Sequence, residues 1–507
     1  MNDWRPGKHS SESYPAHVEL EVDVCIIGAG AGGSAAAAAL TGAGLTVAVL
    51  EEGSHWRPSD FRQETSFAFK HLYQERGMRV TRGNVVMPLP GGRGVGGSTL
   101  INSAICFRTP PSVMKEWREQ YGCERVTDDR FNGYFDRIWK TIGVTVNPVA
   151  VQRNNNLIFK QGAEALGLKG EFMARSAPGC VGCGICQYGC PTGGKFSVDR
   201  TFMAEALGTN LVGVYADCRV SKVETVGDRV VAVSGQTLHP DSQRPQGSIR
   251  VSAKTFVLSA GPIGSPLFLL ANGLADSTHC GQHMVVHPTC GLLARFEQEI
   301  RPWSGVTQGY YVDCWEKGFL LQTYSVTPDQ YFLLLQTRIG KETLEYLSNL
   351  SHIASAGSLV HDTDSGGSVR QTPLGPDLYY HFGEGDKSRL MAGTRLCAEV
   401  FLAAGALEVM PAMQIGRTIK TKADILSAIP DDLPANKLLL YASHPMGTCR
   451  MGASRETSVI DASGKVWDWA NLHVADASMF PTSLGVNPQV TTMAMGLMVG
   501  EAIAHGS

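Results

Sequence analysis

A β-branched apolar run, Val22 to Ile27, leads directly into Gly28, Gly30 and Gly33, spaced G-x-G-x-x-G. A strand that ends this way must turn tightly and pass into a helix lying against it. Ser34 to Leu40, nearly all alanine, predicts that helix, Gly42 and Gly44 close it, and Leu45 to Leu50 predicts a second strand ending at Glu51. The first glycine permits the turn, the second lets a pyrophosphate approach the backbone, and the third lets helix and strand pack. The helix N-terminus adds a partial positive charge that faces the phosphates. Glu51 stands 18 positions after Gly33, where an acid can take both hydroxyls of an adenosine ribose, and its charge argues against a 2′-phosphate. Strand, glycines, helix, strand and acid in this order read as a dinucleotide-binding unit, without distinguishing NAD from FAD.

The 507 residues, 43% hydrophobic and 18% charged, are enough to bury more than one core. A net charge of -3 gives no broad basic field, so nucleic acid is not an expected partner and a small neutral ligand fits better. The polar opening residues lack the apolar core of a secretory signal and no later stretch is apolar for long enough to span a bilayer, which predicts a soluble, cytoplasmic protein without a transmembrane segment. The 57 glycines gather in short clusters instead of a linker. A second cluster, Gly91, Gly92, Gly94, Gly96 and Gly97 ahead of Ser98, exceeds what any simple turn needs. It suggests backbone laid against a flat or phosphorylated ligand, with a flexible surface loop as the plain alternative.

The segment GGRGVGGSTLINSAICFRTP resembles the first signature of the glucose-methanol-choline (GMC) family of flavin oxidoreductases. SAGPIGSPLFLLANGL from Ser259, GQHMVVHP after it, SHPMGTCRMG from Ser443 and NLHVADASMFPTSLGVNPQVTTMAMG from Asn471 resemble later family segments in family order. Within the family the chain resembles the bacterial cholesterol-oxidase-like and long-chain alcohol oxidase type. The resemblance implies an α/β fold: a Rossmann-like FAD-binding domain from 18-110, 191-290 and 436-507, a cap or linker over 111-190, and an α+β substrate domain over 291-435 on a mixed or antiparallel sheet. It also implies FAD, with Gly96, Gly97, Ser98 and Asn102 near the pyrophosphate and the isoalloxazine ring, Val220 near adenine, and Asp476 and Ala477 beside the flavin.

His444 and Asn487 are each followed by proline, which fixes its own φ and biases the residue before it toward extended backbone, so both side chains should point in defined directions. Oxidising an alcohol requires loss of the hydroxyl proton as hydride leaves carbon, and imidazole titrates near neutral pH. The amide of Asn487 can hold the substrate oxygen without titrating. The segments resemble the histidine/asparagine variant of the family pair, with His444 as base, Asn487 as orienter and flavin N5 as hydride acceptor. His283, His287 and His473 read as structural. The leading function is therefore oxidation of a primary or secondary alcohol to a carbonyl. The alternatives are a non-redox flavoprotein of the same fold, a lyase or decarboxylase, and an electron-transfer flavoprotein without its own small substrate.

Cys180, Cys183, Cys186 and Cys190, followed by Pro191, have the ferredoxin-like spacing C-x2-C-x2-C-x3-C-P, but no second run accompanies it. Three readings stand side by side: an iron-sulfur cluster of 4Fe-4S type carrying electrons away from the flavin, a metal-free or disulfide-bridged loop, and a zinc site. Phe319, Leu320, Tyr331, Phe332 and Leu333 hint at an apolar or bulky alcohol, with ordinary sheet core as the counter-reading. The electron acceptor, whether oxygen, a quinone-type molecule or a protein, is left open.

Overall fold

A computed structural model describes residues 2–334, 340–373, 375–414 and 417–506. The first strand, β1, spans His17–Ile27 and starts earlier than the apolar run suggests. The added residues alternate, with Val18, Leu20 and Val22 buried and His17, Glu19 and Glu21 exposed, a period of two that fits a half-buried strand. The helix α1, Ala31–Gly42, also starts earlier than expected, because Gly30 takes the extended backbone of an N-cap. The second strand, β2, is Val47–Leu50.

β1 and β2 pair in parallel at the centre of an eight-stranded sheet. Val212–Tyr215 and Gly7–His9 continue it in parallel on the β2 side. On the other side the long strand Pro245–Leu258 pairs parallel with β1 and with Leu472–Val474, then antiparallel with Arg229–Leu238, which in turn pairs antiparallel with Cys218–Val226. Three distant stretches of chain thus meet in one sheet.

The strand Pro245–Leu258 leads into helix α2, Gly261–Ala271. A longer helix, α3, Glu384–Ala403, lies on a second sheet, and α4, Gln489–Ala504, lies on α1. Small residues permit the last contact: a Cβ built on Gly496 would sit 2.3 Å from the carbonyl oxygen of Gly32. That closeness explains the small residues of α1 and the glycines Gly496 and Gly500 of α4 at the contact.

The second sheet has seven strands and every pairing in it is antiparallel. Thr289–Arg295, Ile353–Val360, Phe319–Thr323 and Tyr310–Cys314 form its body, and Gly170–Phe172, Glu408–Pro411 and Leu440–Tyr441 join from outside the central stretch. Phe319 belongs to the core between this sheet and α3, whereas Leu320 belongs to the core of the dinucleotide-binding layer. Alternation then puts Gln322 on the same face as Leu320, toward the first layer. Among the described residues no helix is long and apolar enough to cross a membrane.

Candidate active site

The two glycine clusters meet. Gly28 has φ of 107°, which favours glycine, and a Cβ there would fall 2.2 Å from the Ser259 carbonyl oxygen. A Cβ on Gly33 would fall 2.1 Å from the Gly28 carbonyl oxygen. Gly97, at φ 52°, lies so close to Gly30 that a Cβ would stand 2.8 Å from its Cα, and the Gly96 amide donates to the Ala29 carbonyl at 2.9 Å. The second cluster is therefore a bed against the first turn of α1, whose leading amides have no partner within the helix.

Glu51 ties this bed together. Its carboxylate is buried and accepts from the amides of Ala29, Gly53 and Gly94 at 3.0, 2.9 and 3.1 Å. Burial pushes its pKa up to about 7 against the pull of those amides. Ser98 Oγ accepts from the Gly92 amide, and Asn102 donates to Gln489 Oε1 at 2.9 Å. Asp476 accepts from Ser265 Oγ and from the Gly261 amide at the start of α2, while Ala475 presents its carbonyl against Gly32. Val220 lies on the strand Cys218–Val226, whose first amide donates to the Glu51 carbonyl at 2.8 Å. Gly28, Gly30, Gly33, Glu51, Gly96 and Gly97 are thus brought to one place, with Ala475 and Asp476 packed against Gly32 in the first turn of α1. A cradle that side chains would fill, with free helix amides and a buried acid, fits a flavin dinucleotide.

His444 and Asn487 come together from separate loops. The His444 loop is pinned by paired hydrogen bonds between Met446 and Val285 and by the Gly447 amide, which donates to the Ala477 carbonyl at 3.1 Å. Asn487 immediately precedes α4. Asn487 Nδ2 lies 3.2 Å from His444 Nε2, and Asn487 Oδ1 lies 3.2 Å from Gln322 Nε2. Burial lowers the pKa of His444 to about 4, so the ring is neutral near pH 7.

His287, read from the sequence as structural, belongs to this site. Its Nδ1 lies 3.1 Å from His444 Nδ1, and its Nε2 accepts from the Gly485 amide at 2.8 Å. The residue is wholly buried at φ 56°, an unusual backbone for a side chain of this size. Asp362 holds it there by accepting from the amides of Val286 and His287 while also accepting from Ser483 Oγ and Tyr380 OH. The signal was present in the sequence, since His287–Pro288 repeats the dipeptide of His444–Pro445. Gln322 and Gln489 were also missed. A buried amide inside the apolar strand Phe319–Thr323 was the only hint for the first. His283 and His473 make no contact with His444 or Asn487, and each keeps one buried ring nitrogen without a partner.

In the cysteine loop the sulfurs do not converge on a metal-binding geometry. All four cysteines are free thiols, and among the described residues no three His, Cys, Asp or Glu side chains converge as a metal site. The reason is Arg175, fully buried, whose guanidinium reaches Cys180 Sγ at 3.5 Å and Cys186 Sγ at 3.4 Å. A cation thus sits where a metal would bring these two sulfurs together. Burial disfavours the Cys186 thiolate, but Arg175 and Lys195 outweigh burial and bring its pKa below the ordinary thiol value. Lys195 Nζ also donates to the carbonyls of Leu100 and Asn102, so this loop braces the glycine bed from beneath. An open cleft of about 610 Å³ on the Cys183 side, lined by Tyr188, Trp303 and Asp329 among others, does not include His444 or Asn487.

The aromatic and aliphatic residues singled out as pocket candidates pack in cores. Phe319, Leu320 and Tyr331 are buried in three different clusters, and the side chains of Phe332 and Leu333 lie outside the described residues. For Phe319, Leu320 and Tyr331 that placement is the sheet core of the counter-reading.

Comparison with known proteins gives a consistent result. Residues 69–289 and 364–496 match the GMC oxidoreductase family, and residues 26–80 match an NAD(P)-binding Rossmann-like domain. An uncharacterised GMC-type oxidoreductase of Mycobacterium tuberculosis is 30% identical over 466 residues, covering 91% of this chain and 72% of the relative. A long-chain-alcohol oxidase of Arabidopsis thaliana is 26% identical over 92% of this chain, which spans 64% of that relative's length. The crystal structure of a pyridoxine 4-oxidase from Mesorbium loti superposes with a TM-score of 0.72 at 18% identity, covering 95% of this chain and 99% of that one.

Proposed function

The chain belongs to the GMC oxidoreductase family, flavin enzymes acting on CH-OH donors, and from that membership we propose that it oxidises a primary or secondary alcohol to a carbonyl at His444 and Asn487. The observation that carries this reading is the approach of the His444 imidazole and the Asn487 amide to 3.2 Å, on loops tied to the glycine cradle through Ala477 and α4. FAD, once bound, supplies the hydride acceptor. Gly28, Gly30 and Gly33 with the first turn of α1 would hold its pyrophosphate, Glu51 its ribose and Val220 its adenine. Gly96, Gly97, Ser98, Asn102, Asp476 and Ala477 border the flavin.

A carbinol oxygen lies between His444 and Asn487. The hydroxyl proton passes to His444 Nε2 as the carbon loses hydride, while Asn487 keeps the oxygen oriented. Burial keeps His444 neutral and therefore able to accept. The relationship to a long-chain-alcohol oxidase favours an aliphatic alcohol over a sugar. The electron acceptor that reoxidises the flavin is oxygen, a quinone-type molecule or a protein.

The test is anaerobic titration of the flavin-loaded protein with alcohols of increasing chain length, following bleaching of the visible flavin bands. Straight-chain alcohols are expected to bleach them. His444→Ala is expected to keep the flavin and slow its reduction by about a hundredfold or more. Failure of every small alcohol to reduce the flavin, or an unchanged rate in His444→Ala, overturns the reading.

A further inference from the structure

The ring and amide contacts around His444 form one chain, and its direction is set at one end. Imidazoles and carboxamides can each donate or accept, so a run of them has two possible polarities unless a member of fixed sense joins it. The Gly485 amide is such a member, because a backbone N–H can only donate. It lies 2.8 Å from His287 Nε2, which must therefore accept.

His287 is wholly buried, and desolvation holds its pKa well below the ordinary histidine value, so it carries a single proton. With Nε2 accepting, that proton is on Nδ1. His287 Nδ1 faces His444 Nδ1 at 3.1 Å, so His444 accepts there. A neutral His444 that accepts at Nδ1 has its own proton on Nε2, the nitrogen facing Asn487 at 3.2 Å. Asn487 then turns its Oδ1 to His444 and donates through Nδ2 to Gln322 Oε1. Exchanging O and N within both amides keeps the His444–Asn487 and Asn487–Gln322 contacts and pairs a donor with an acceptor in each.

Resting on the assignment of His444 and Asn487 as the substrate-facing pair, we propose that Gly485 and His287 set the tautomer of His444, so that the resting site offers an Nε2–H to the substrate oxygen, with His287 as a positioning residue. The consequence is chemical. At rest the pair suits an oxygen that accepts, as a carbonyl does. Taking the hydroxyl proton of an alcohol needs a lone pair on Nε2, hence the reverse polarity: His444 Nδ1–H donates to His287 Nδ1, and the His287 proton moves to Nε2, where it opposes the Gly485 N–H. In that reversed chain the alcohol O–H bond breaks, its proton bonds to His444 Nε2, and the ring becomes imidazolium. Alcohol binding must therefore be coupled to reversal of the chain.

The test is a two-bond proton–nitrogen correlation spectrum of the flavin-loaded, 15N-histidine-labelled protein, with His444 and His287 assigned by difference against His444→Gln and His287→Phe. The expected result is a pyridine-type Nδ1 with a pyrrole-type Nε2 for His444, and the opposite pattern for His287. A pyrrole-type Nδ1 on His444 in the parent protein overturns the proposal, whether or not any variant folds. In His287→Phe the donor to His444 Nδ1 is gone, and the His444 shifts are expected to move toward the average of the two tautomers. Retention of the pure Nε2–H pattern in that variant also overturns it. The spectrum reads ring protons without turnover, so it can fail while alcohols still bleach the flavin, and the alcohol assay can fail while the spectrum holds.

Discussion

Replacing Asp362 by alanine tests how the site is held together. The carboxylate is buried, and it accepts from the amides of Val286 at 2.8 Å and His287 at 3.2 Å, from Ser483 Oγ at 2.6 Å and from Tyr380 OH at 2.8 Å. The two hydroxyls can rotate toward other acceptors, but the two amides cannot. Each buried amide left without a partner costs about 1 to 3 kcal/mol. Against this, His287 sits at φ 56°, a conformation that stores about 1 to 3 kcal/mol and relaxes once the clamp is gone. The net local loss is about 1 to 3 kcal/mol, which at about 1.4 kcal/mol per tenfold is roughly 5- to 140-fold faster exchange of the Val286 and His287 amides. Hydrogen exchange read by mass spectrometry on peptides spanning 284–289 measures it. Ser483→Ala, which removes a single hydroxyl, should change exchange there by about tenfold at most. Folded Asp362→Ala protein with exchange within threefold of the parent refutes the clamp.

Four further outcomes are expected. Gly97→Ala puts a Cβ 2.8 Å from the Gly30 Cα at a φ suited to glycine, so the protein should fold yet be recovered without flavin; recovery with full flavin content would remove the glycine bed from the cofactor site. Because burial lowers the His444 pKa to about 4, the rate of flavin reduction should be flat from about pH 5 to 8 and fall about tenfold per unit below about 4. The same depressed value means that the unfolded chain binds more protons between about 4 and 6.5, so this group's contribution to stability is complete above about 6.5 and is lost as pH falls through that window. A melting temperature that rises on acidification from pH 6.5 to 5 in the parent but not in His444→Gln contradicts this sign. Arg175→Met should raise the pKa of the Cys186 thiol, read as the ultraviolet thiolate absorbance that disappears in Cys186→Ala; an unmoved titration would show that Arg175 is not the counter-ion.

The dinucleotide-binding half was legible along the chain because its determinants are local. Gly28, Gly30, Gly33 and Glu51 fall within one strand–helix–strand unit, where a tight turn, a helix N-terminus and a terminal acid follow from neighbouring residue types. His444 and Asn487 stood out because each precedes a proline in a segment resembling one family. Their chemistry, though, depends on neighbours that no local pattern marks: His287 is 157 positions from His444, and Gln322 is 165 from Asn487. Gln322 reaches the pair only because strand alternation turns it to the same face as Leu320. The cysteine spacing misled for a related reason. Spacing says that four sulfurs can converge, but the buried Arg175, brought in from outside the run, decides what stands between two of them. Residue order was sufficient for the dinucleotide-binding fold and pointed to His444 and Asn487 as the candidate pair. The proposed direction of the proton chain and the surroundings of the thiols depend on tertiary structure, because each rests on a fixed donor or a cation placed within about 3.5 Å by packing.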